Sequence, residues 1–284
     1  MEAGVLYLCA TPIGNLDDIT VRCLNTLRDC DLIACEDTRH SKKLLTHFDI
    51  HKPLTSYFEH NRKEKGLYII NEIKSGKNVA LITDAGTPAI SDPGEDLVKM
   101  CIEEGVRVVP VPGSVALINA LIISGQNTSR FAFEGFLSMN KKSRIEHLES
   151  VKDDPHTLIF YEAPHKLTRT LADMKKYFGN RSLSIVRELT KIHEECSLTT
   201  IDEAIEFYGE NTPKGEYVLI VEGKNPEEFR LEQKEKTEQL PVSQHVKMLM
   251  ENGIDKKEAM KIVAKEHGLS KRDVYSELLK EDDK

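Results

Sequence analysis

The sequence lacks several signatures that often reveal an enzyme's chemistry. No GxGxxG follows the first predicted strand, and neither GxxxxGK(S/T) nor HExxH occurs in its 284 residues. The first two motifs build a dinucleotide-binding turn and a phosphate-binding loop, and the third builds a zinc-binding helix. Their absence removes support for hydride transfer and for P-loop chemistry.

Long apolar runs and paired cysteines are also missing. No segment approaches the uninterrupted apolar length of a membrane span, and the first residues, MEAGVLYLCA, contain no basic region followed by a long apolar run. The sequence therefore predicts a cytoplasmic protein without membrane contact. The six cysteines show neither CxxC pairing nor ligand-like spacing with histidine, so we expect reduced core thiols, no disulfide framework and no metal site.

The charge balance is acidic, with a net charge of -8 and a pI of about 5.8. This argues against indiscriminate nucleic-acid binding, although a local basic face can coexist with an acidic whole. With 39% hydrophobic and 30% charged residues, the composition is that of an ordinary globular protein, long enough for two domains.

One stretch that is present, VALITDAGTPAISDPG from Val79 to Gly94, joins an apolar strand to a glycine-rich polar loop. Asp84 follows the strand directly, at the carboxyl end where open α/β sheets bind ligands. Beyond the loop, the run from Asp92 to Glu95 predicts a capping box with Asp92 as the N-cap of the next helix. A simple turn is the plainer interpretation, but this loop exceeds a minimal connection, and long ordered loops are more often functional.

Apolar strands and amphipathic helices alternate through the first part of the chain. The strands are predicted at 5–10, 31–35, 56–61, 79–83 and 106–111, with helices between them. Such alternation is typical of a mostly parallel, doubly wound sheet. After the turn cluster at 124–127 the strands follow a looser order, which predicts a second α/β domain with a mixed sheet.

Four regions follow from this pattern: an N-terminal α/β domain at 1–125, a second α/β domain at 126–224, a charged linker at 225–240 and a helical tail at 241–284. The tail resembles a helix-turn-helix in spacing alone. Because its acidic and basic residues nearly balance, a packing or docking role is favoured over DNA reading. The predicted fold class is α/β, with two α/β domains and a small helical C-terminal unit.

Three turn-rich loops follow predicted strands, at Thr11–Asn15, Asp84–Pro93 and Pro112–Val115. If the strands are parallel, all three loops lie at the same edge of the sheet and form one cleft. A cleft made of backbone amides, small residues and one aspartate suits a ligand with ribose hydroxyls and an adenine edge better than a bare phosphate.

Seven segments, taken together and in order, carry a resemblance to one known family. They are ATPIGNLDDIT from Ala10, EDTR from Glu36, TDAGTPAISDPG from Thr83, FEGFL from Phe133, YEAPHKL from Tyr161, RELTKIHEE from Arg187 and KGEYVLIVEG from Lys214. With these segments the chain resembles the RsmI family of bacterial 16S ribosomal RNA ribose 2'-O-methyltransferases, within the tetrapyrrole methylase superfamily. The resemblance covers nearly the whole chain, including the tail.

This resemblance implies two α/β domains of the tetrapyrrole methylase type, with S-adenosyl-L-methionine (SAM) in the cleft between them. It also implies a homodimer that methylates a cytidine in the decoding region of 16S rRNA in the assembled small ribosomal subunit. Where the family commonly has a second proline after Pro112-Gly113, this chain has Ser114 and Val115, so which of these two contacts SAM stays open. The expected SAM contacts are Pro12, Gly14, Asp84, Gly86, Pro88, Ile90, Ser114 and Val115.

A ribose 2'-hydroxyl is a poor nucleophile, so the reaction needs a general base or polar groups that ease loss of the proton. Candidates at predicted strand ends are Glu36 and Asp37 in EDTR, and Glu59 and His60 before a basic helix. Exposed carboxylates paired with arginine would look the same in sequence. The expected catalytic set is Glu36, Arg39, Glu59 and His60, with Arg39 touching a phosphate or orienting the target ribose.

Basic residues near these segments are expected to contact RNA phosphates, since RNA affinity draws on such groups. Three further charged residues, Glu162, Arg187 and Glu188, shape the second wall of the cleft or brace the domain interface. The expected phosphate contacts are Arg39, Lys42, Lys43, Arg62, Lys63, Lys141, Lys142 and Arg144.

Two other functions are compatible with parts of the sequence. The first is methylation of a corrin or porphyrin precursor. The EDTR stretch and the helical tail argue against this function. The second is a non-enzymatic regulator that binds nucleic acid through its tail. A test of SAM binding separates the second alternative from the enzyme, and a map of 16S rRNA methylation separates the first.

Overall fold

The computed structural model describes residues 3–227, 229, 231, 240–251 and 253–282. The chain divides into two compact units, Met1–Gly223 and Lys224–Lys284. Both predicted sheets belong to the first unit, and the helical tail belongs to the second. Among the described residues, no helix combines the length and the apolar character needed to cross a membrane.

The first sheet has five parallel strands in the order β3-β2-β4-β1-β5. This confirms the predicted doubly wound, parallel sheet. The third strand was predicted at 56–61, and this range is wrong: the strand spans Leu54–Ser56, and the rest of the predicted range contains a 3-10 turn at Glu59–Asn61. The strands are β1 (Val5–Cys9), β2 (Leu32–Cys35), β3 (Leu54–Ser56), β4 (Val79–Ile82) and β5 (Arg107–Val111).

Helices cover both faces of this sheet, which explains why its central strands are apolar throughout. In β4, Val79 and Leu81 pack into one core with α3 and α4, whereas Ala80 and Ile82 pack into the opposite core with α1 and α2. The helices are α1 (Val21–Asp29), α2 (Thr38–His47), α3 (Arg62–Lys74), α4 (Glu95–Glu103) and α5 (Ala116–Ile123).

The second sheet has five strands in the order β6-β7-β10-β8-β9. Only β6 and β7 run parallel, and the other neighbours are antiparallel, so the predicted mixed sheet is confirmed. The strands are β6 (Phe131–Phe136), β7 (Thr157–Glu162), β8 (Ser182–Arg187), β9 (Glu195–Thr200) and β10 (Tyr217–Val221), with helices α6 (Lys141–Val151), α7 (Pro164–Phe178) and α8 (Ile201–Glu210).

Helix α5 joins the two sheets. It follows β5 of the first sheet, yet its Leu117, Ala120 and Leu121 pack against strands of the second sheet, including Ile159 and Val218. Helices α6, α7 and α8 cover the other face of that sheet. The second sheet is therefore held beside the carboxyl ends of the first sheet's strands, where the cleft was predicted.

The described residues of the predicted helical tail at 241–284 form three helices, α9 (Val242–Glu251), α10 (Lys256–Glu266) and α11 (Lys271–Asp282). Val246, Val263 and Val274 form its small core. The Asp255 carboxylate caps α10 by accepting from the Lys257 amide at 3.1 Å. Most of the predicted linker, residues 228, 230 and 232–239, lies outside the described residues.

Candidate active site

The three loops that follow β1, β4 and β5 lie side by side at one edge of the first sheet, as parallel strands require. Thr11 and Gly86 exchange two backbone hydrogen bonds, of 2.9 and 3.1 Å, which tie the first loop to the second. The Thr87 hydroxyl donates to the carbonyl of Ser114 at 3.1 Å and ties the second loop to the third. The loops therefore form one continuous wall.

This wall and the second sheet enclose a cleft of about 450 Å³. That volume falls within the range of small-molecule sites. Four of the predicted SAM contacts, Asp84, Gly86, Ile90 and Val115, line the cleft directly. Residues that were not predicted as SAM contacts also line it, among them Ile13, Asp92, Phe136 and Tyr161.

The other four predicted contacts lie just outside the cleft. Pro12 and Pro88 are buried under their loops. Gly14 approaches the loop after β8 so closely that a Cβ there would lie 2.8 Å from Thr190 Oγ1. The Ser114 carbonyl is occupied by Thr87, so of the two alternatives Val115 is the residue that borders the cleft. The roles of all eight residues in binding stay predictions.

The loop after β4 holds an unusual backbone conformation. Gly86 has φ 84°, and the non-glycine residues Ala89 and Ser91 have φ 69° and 63°. Left-handed backbone costs a non-glycine residue of order 1–3 kcal/mol and persists only where the surroundings enforce it. Such strain gathers at ligand sites, which supports a functional role for the loop over that of a simple turn.

The predicted capping box at this loop is wrong. Helix α4 begins at Glu95 with Gly94 as its N-cap, and no side chain caps it. Gly94 has φ 151°, a conformation open to glycine, and Asp92 lines the cleft instead of the helix end. Burial raises the pKa of the Asp92 carboxyl to about 6, and the charges of Glu36 and Asp84 act in the same direction.

Asp84 provides an acceptor that nothing in the described chain uses. Its Oδ1 is buried and has no hydrogen-bond partner among the described residues. A buried acceptor without a partner costs free energy unless a ligand satisfies it. An orphan carboxylate oxygen in the wall of a largely apolar cleft therefore fits a ligand with hydroxyl donors, such as the ribose of SAM.

Glu36 lies between the cleft and the surface. Burial is the main cause that raises the pKa of its carboxyl; the charge of Asp84 adds to the rise, and Arg62 opposes it. The carboxylate of Glu59 also acts on it from the outer side. Unlike its neighbour Asp37, Glu36 forms no ion pair within the described residues.

Arg39 lies on the rim, away from the cleft. Its side chain is 89% exposed and pairs with Asp37 at 3.1 Å. The Asp37 carboxylate also accepts from the Arg39 amide at 2.8 Å and so caps α2. Hydrogen bonds from Arg39 lower the pKa of Asp37. Arg39 is free to exchange this surface pairing for a phosphate.

Glu59 and His60 are not in the cleft. Both are exposed in the 3-10 turn before α3 and line a separate surface groove with Lys63 and Lys99. At the edge of this groove Arg62 pairs with Asp96 at 3.0 Å. The charges of Glu36 and Asp84 therefore act on Asp92. Glu59 and His60 line a different groove, although the charge of Glu59 still reaches Glu36, and Arg39 is exposed.

Arg144 is a structural residue, so its prediction as a phosphate contact is wrong. Its guanidinium is buried, donates to Asp173 at 2.7 Å and reaches the carbonyl of Ser138 at 3.0 Å. Such a side chain fastens the loop before α6 to α7. This burial could not be predicted from the sequence, because an arginine near two lysines has the pattern of a basic surface.

Of the three residues expected in the second wall, Glu162 lines the cleft, whereas Arg187 pairs with Glu195 at 2.7 Å and Glu188 braces a loop. Glu162 is buried and accepts from the Thr170 hydroxyl at 2.5 Å, which fixes the start of α7. Glu188 accepts from Lys191 at 2.9 Å and from the Glu216 amide at 3.0 Å, and so fixes the loop after β8.

Tyr161, one residue before Glu162, lines the cleft with its ring. The Leu117 amide donates to the Tyr161 hydroxyl at 3.0 Å and holds it at the start of α5. The position of Tyr161 in YEAPHKL, at the end of a strand, was the sequence signal that could have placed it in the site. It was not used, because an aromatic residue in a strand usually belongs to the core.

The family model for tetrapyrrole (corrin/porphyrin) methylases matches residues 5–205. Over 275 residues the chain is 50% identical to the ribosomal RNA small subunit methyltransferase I of Halalkalibacterium halodurans, with 97% of this chain and 94% of that protein covered. The proteins of the same name from Synechocystis sp. and Bacillus subtilis are each 46% identical, and each match covers 96% of this chain and 96% or 94% of the relative.

Solved structures with a similar fold are more distant in sequence. A diphthine synthase superposes with a TM-score of 0.63 at 14% identity, over 78% of this chain and 91% of that one. A cobalt precorrin-4 methyltransferase superposes with a TM-score of 0.56 at 18% identity, over 76% of this chain and 94% of that one. At such identities the likeness concerns the fold alone.

Proposed function

The chain belongs to the tetrapyrrole methylase family and, within it, to the ribosomal RNA small subunit methyltransferase I group, and from this premise we propose the reaction, the substrate and the residues involved. The protein is a SAM-dependent methyltransferase that acts on ribosomal RNA. Its acceptor is the ribose 2'-oxygen of a cytidine in the decoding region of 16S rRNA. The observation that carries this proposal is the match of nearly the whole chain to proteins named ribosomal RNA small subunit methyltransferase I.

The cleft between the sheets holds SAM, which supplies an activated methyl group when it is bound. Asp84 accepts hydrogen bonds from ligand hydroxyls through its unpartnered Oδ1. Gly86, Ile90 and Val115 form the wall on the side of the first sheet. Pro12, Gly14, Pro88 and Ser114 set the conformation and spacing of the three loops.

The protein's part in catalysis is to orient the acceptor, exclude water and receive its proton. Glu36 is the favoured proton acceptor, because its raised pKa lies closer to neutrality than that of an ordinary glutamate and because no arginine or lysine in the described residues pairs with it. Phe136 and Tyr161 close the opposite side of the cleft with apolar surface.

Residues outside the cleft meet the RNA. The exposed Arg39 pairs with an RNA phosphate, and the groove that contains Glu59 and His60 binds a neighbouring part of the RNA. Specific RNA recognition commonly uses unstacked nucleotides and basic side chains of this kind. The helical tail is a docking unit for the same substrate or for the enzyme itself.

A homodimer in the cytoplasm that acts on the assembled small subunit completes the proposal. Several large apolar side chains that are exposed to solvent support the homodimer. They include Ile118 and Ile122 of α5, Leu198 of the edge strand β9, and Ile192, which is 97% exposed. Large exposed apolar patches mark interaction sites, and an edge strand offers unpaired backbone groups to a second copy.

Substrate competition tests the proposed reaction. The purified protein is incubated with methyl-labelled SAM and one of three substrates. These are assembled small subunits from cells that lack this activity, free 16S rRNA, and a porphyrin precursor. We expect transfer to the assembled subunit only. Transfer to the porphyrin precursor would favour the tetrapyrrole alternative, and no binding of SAM at all would favour a non-enzymatic regulator.

A further inference from the structure

Asp92 is a partly buried carboxyl group that caps no helix and takes no part in the proposed proton transfer. Burial raises the pKa of this carboxyl, and the nearby neutral Thr83 hydroxyl opposes the rise. Asp92 lies in the wall of the cleft, and it is held there between Ser91 and Gly94, both of which have positive φ angles. A loop that adopts strained backbone to place an acid in an apolar cleft indicates a role for that acid.

The groups that face Asp92 give it no positive partner. Glu36 after β2 and Asp84 after β4 are acidic, and Tyr161 on β7 is neutral. Burial raises the pKa of Tyr161 to about 12, and the charge of Asp92 acts in the same direction. Arg62, the cation whose charge reaches Glu36, is paired with Asp96, and within the described residues no lysine or arginine forms an ion pair with Asp92.

A buried carboxylate without a cation is costly, and a ligand that brings a positive charge removes that cost. SAM carries a sulfonium cation. Its product, S-adenosylhomocysteine, has a neutral thioether at the same position and keeps the same ribose, adenine, amino and carboxylate groups. The two ligands therefore differ only in the methyl group and in one charge.

We propose that the Asp92 carboxylate is the residue that distinguishes SAM from S-adenosylhomocysteine, by compensating the sulfonium charge. The inference rests on the proposed binding of SAM in this cleft. It assigns Asp92 and Asp84 different tasks. Asp84 binds groups that both ligands share, whereas Asp92 favours the charged donor and loses its attraction for the ligand once the methyl group has left.

Titration calorimetry with SAM and with S-adenosylhomocysteine tests this division. For Asp92→Asn at pH 7.5 we expect SAM affinity to fall about tenfold or more, in the range of one charge pair near a protein surface, while S-adenosylhomocysteine affinity stays the same. For Asp84→Asn we expect both affinities to fall together, by about ten- to a hundredfold. Asp153→Asn, in the exposed loop before β7, should change neither.

An equal loss of both ligands in Asp92→Asn, or no loss of either, would overturn the proposal. A thermal melt of each variant first establishes that it is folded. If the unmodified protein binds SAM but methylates no RNA, the proposed function fails while this inference stands. If the unmodified protein does not bind SAM, both fail.

Proton release gives a second readout. Near pH 6 part of Asp92 is protonated in the free protein, and a neighbouring cation should drive that proton off. Calorimetry in buffers of different ionisation enthalpy should detect protons released on binding SAM, and fewer on binding S-adenosylhomocysteine. Equal release with the two ligands would contradict the charge assignment.

Discussion

Two neighbouring carboxyl groups after β2, those of Glu36 and Asp37, have pKa values that their surroundings shift in opposite directions. Asp37 is exposed and bonded to Arg39, which lowers the pKa of its carboxyl. Glu36, its neighbour in sequence, is partly buried next to Asp84, which raises the pKa of its carboxyl. A general base works best when its pKa approaches the working pH. The environment therefore favours Glu36 over Asp37 as the proton acceptor.

Glu36→Gln should lower the rate of methyl transfer by roughly 10²- to 10⁴-fold, the usual contribution of a positioned general base. Binding of SAM and of the small subunit should change little, because the interaction is made mainly in the transition state. Single-turnover kinetics with saturating subunits measures the rate. A normal rate in this variant would remove Glu36 from the reaction, and loss of both binding steps with a lower melting temperature would make it a brace.

Asp92 also makes stability depend on pH. Its pKa in the folded protein, about 6, lies above the ordinary value of 3.8, so the folded state binds the proton more tightly. This contribution to stability is full below the ordinary pKa and is lost as the pH rises through the folded one.

Thermal melts of the free protein between about pH 4.5 and pH 8 test this dependence. Asp92→Asn cannot ionise, so it should melt above the unmodified protein at pH 8, and the difference should shrink toward pH 4.5. Asp153→Asn is the matched control and should track the unmodified protein throughout. A difference that stays constant with pH would show that the substitution acts through packing.

At the scale of elements, the sequence predicted strands and their ends better than loop conformation. Buried strands such as β4 are recognisable in the sequence as apolar runs, and a parallel sheet places the loops that follow them at one edge. The capping box failed because the residues from Asp92 to Glu95 fit a helix start equally well, and the backbone of Gly94 decided otherwise. Tyr161 and Asp92 belong to the site because segments that are distant in sequence lie together in the fold. Local sequence patterns carry no information about such contacts.

Substitution of Gly86 tests whether the conformation of the loop after β4 is needed for SAM binding. The φ of 84° at Gly86 disfavours any side chain, and a Cβ there would lie 3.2 Å from Ile13 Cγ2 in the cleft wall. Gly86→Ala should therefore cost about 1–2 kcal/mol of stability and also weaken SAM binding. Gly105→Ala has a similar φ of 67° with open space around it, so it should cost stability alone.

Chemical denaturation and calorimetry on the two glycine variants separate backbone strain from contact with the ligand site. If both variants bind SAM equally well, the fit of the first two loops against each other is not important for the cofactor.

At the scale of the whole molecule, α5 sets the cleft by leaving the first sheet and packing on the second. Both sheets were predictable from strand order, but this crossing was not, because the apolar pattern of α5 does not say which sheet it covers. In the proposed reaction the two substrates use different regions, the cleft for the methyl donor and the exposed surface around Arg39 for RNA. Variants in the two regions should therefore behave independently.

Arg39→Ala should leave SAM affinity unchanged and weaken binding to the small subunit. If Arg39 meets one phosphate, the slope of log affinity against log salt should fall by about one. Lys74→Ala is a suitable control, since Lys74 ends α3 next to Glu104, and the preceding Ile73 accepts from Gly4 at the opposite edge of the sheet. An unchanged slope in Arg39→Ala would remove this residue from the RNA surface.

The most direct test of the proposed reaction is a nucleotide map of the product. Small subunits that lack the modification are incubated with the purified protein and SAM, and the 16S rRNA is then digested and analysed by mass spectrometry. We expect one added methyl group, on the ribose of a single cytidine in the decoding region, and an addition about ten- to a hundredfold slower with Asp84→Asn at limiting SAM. A methyl group on a base, or no methyl group on RNA from a protein that binds SAM, would contradict the proposed reaction.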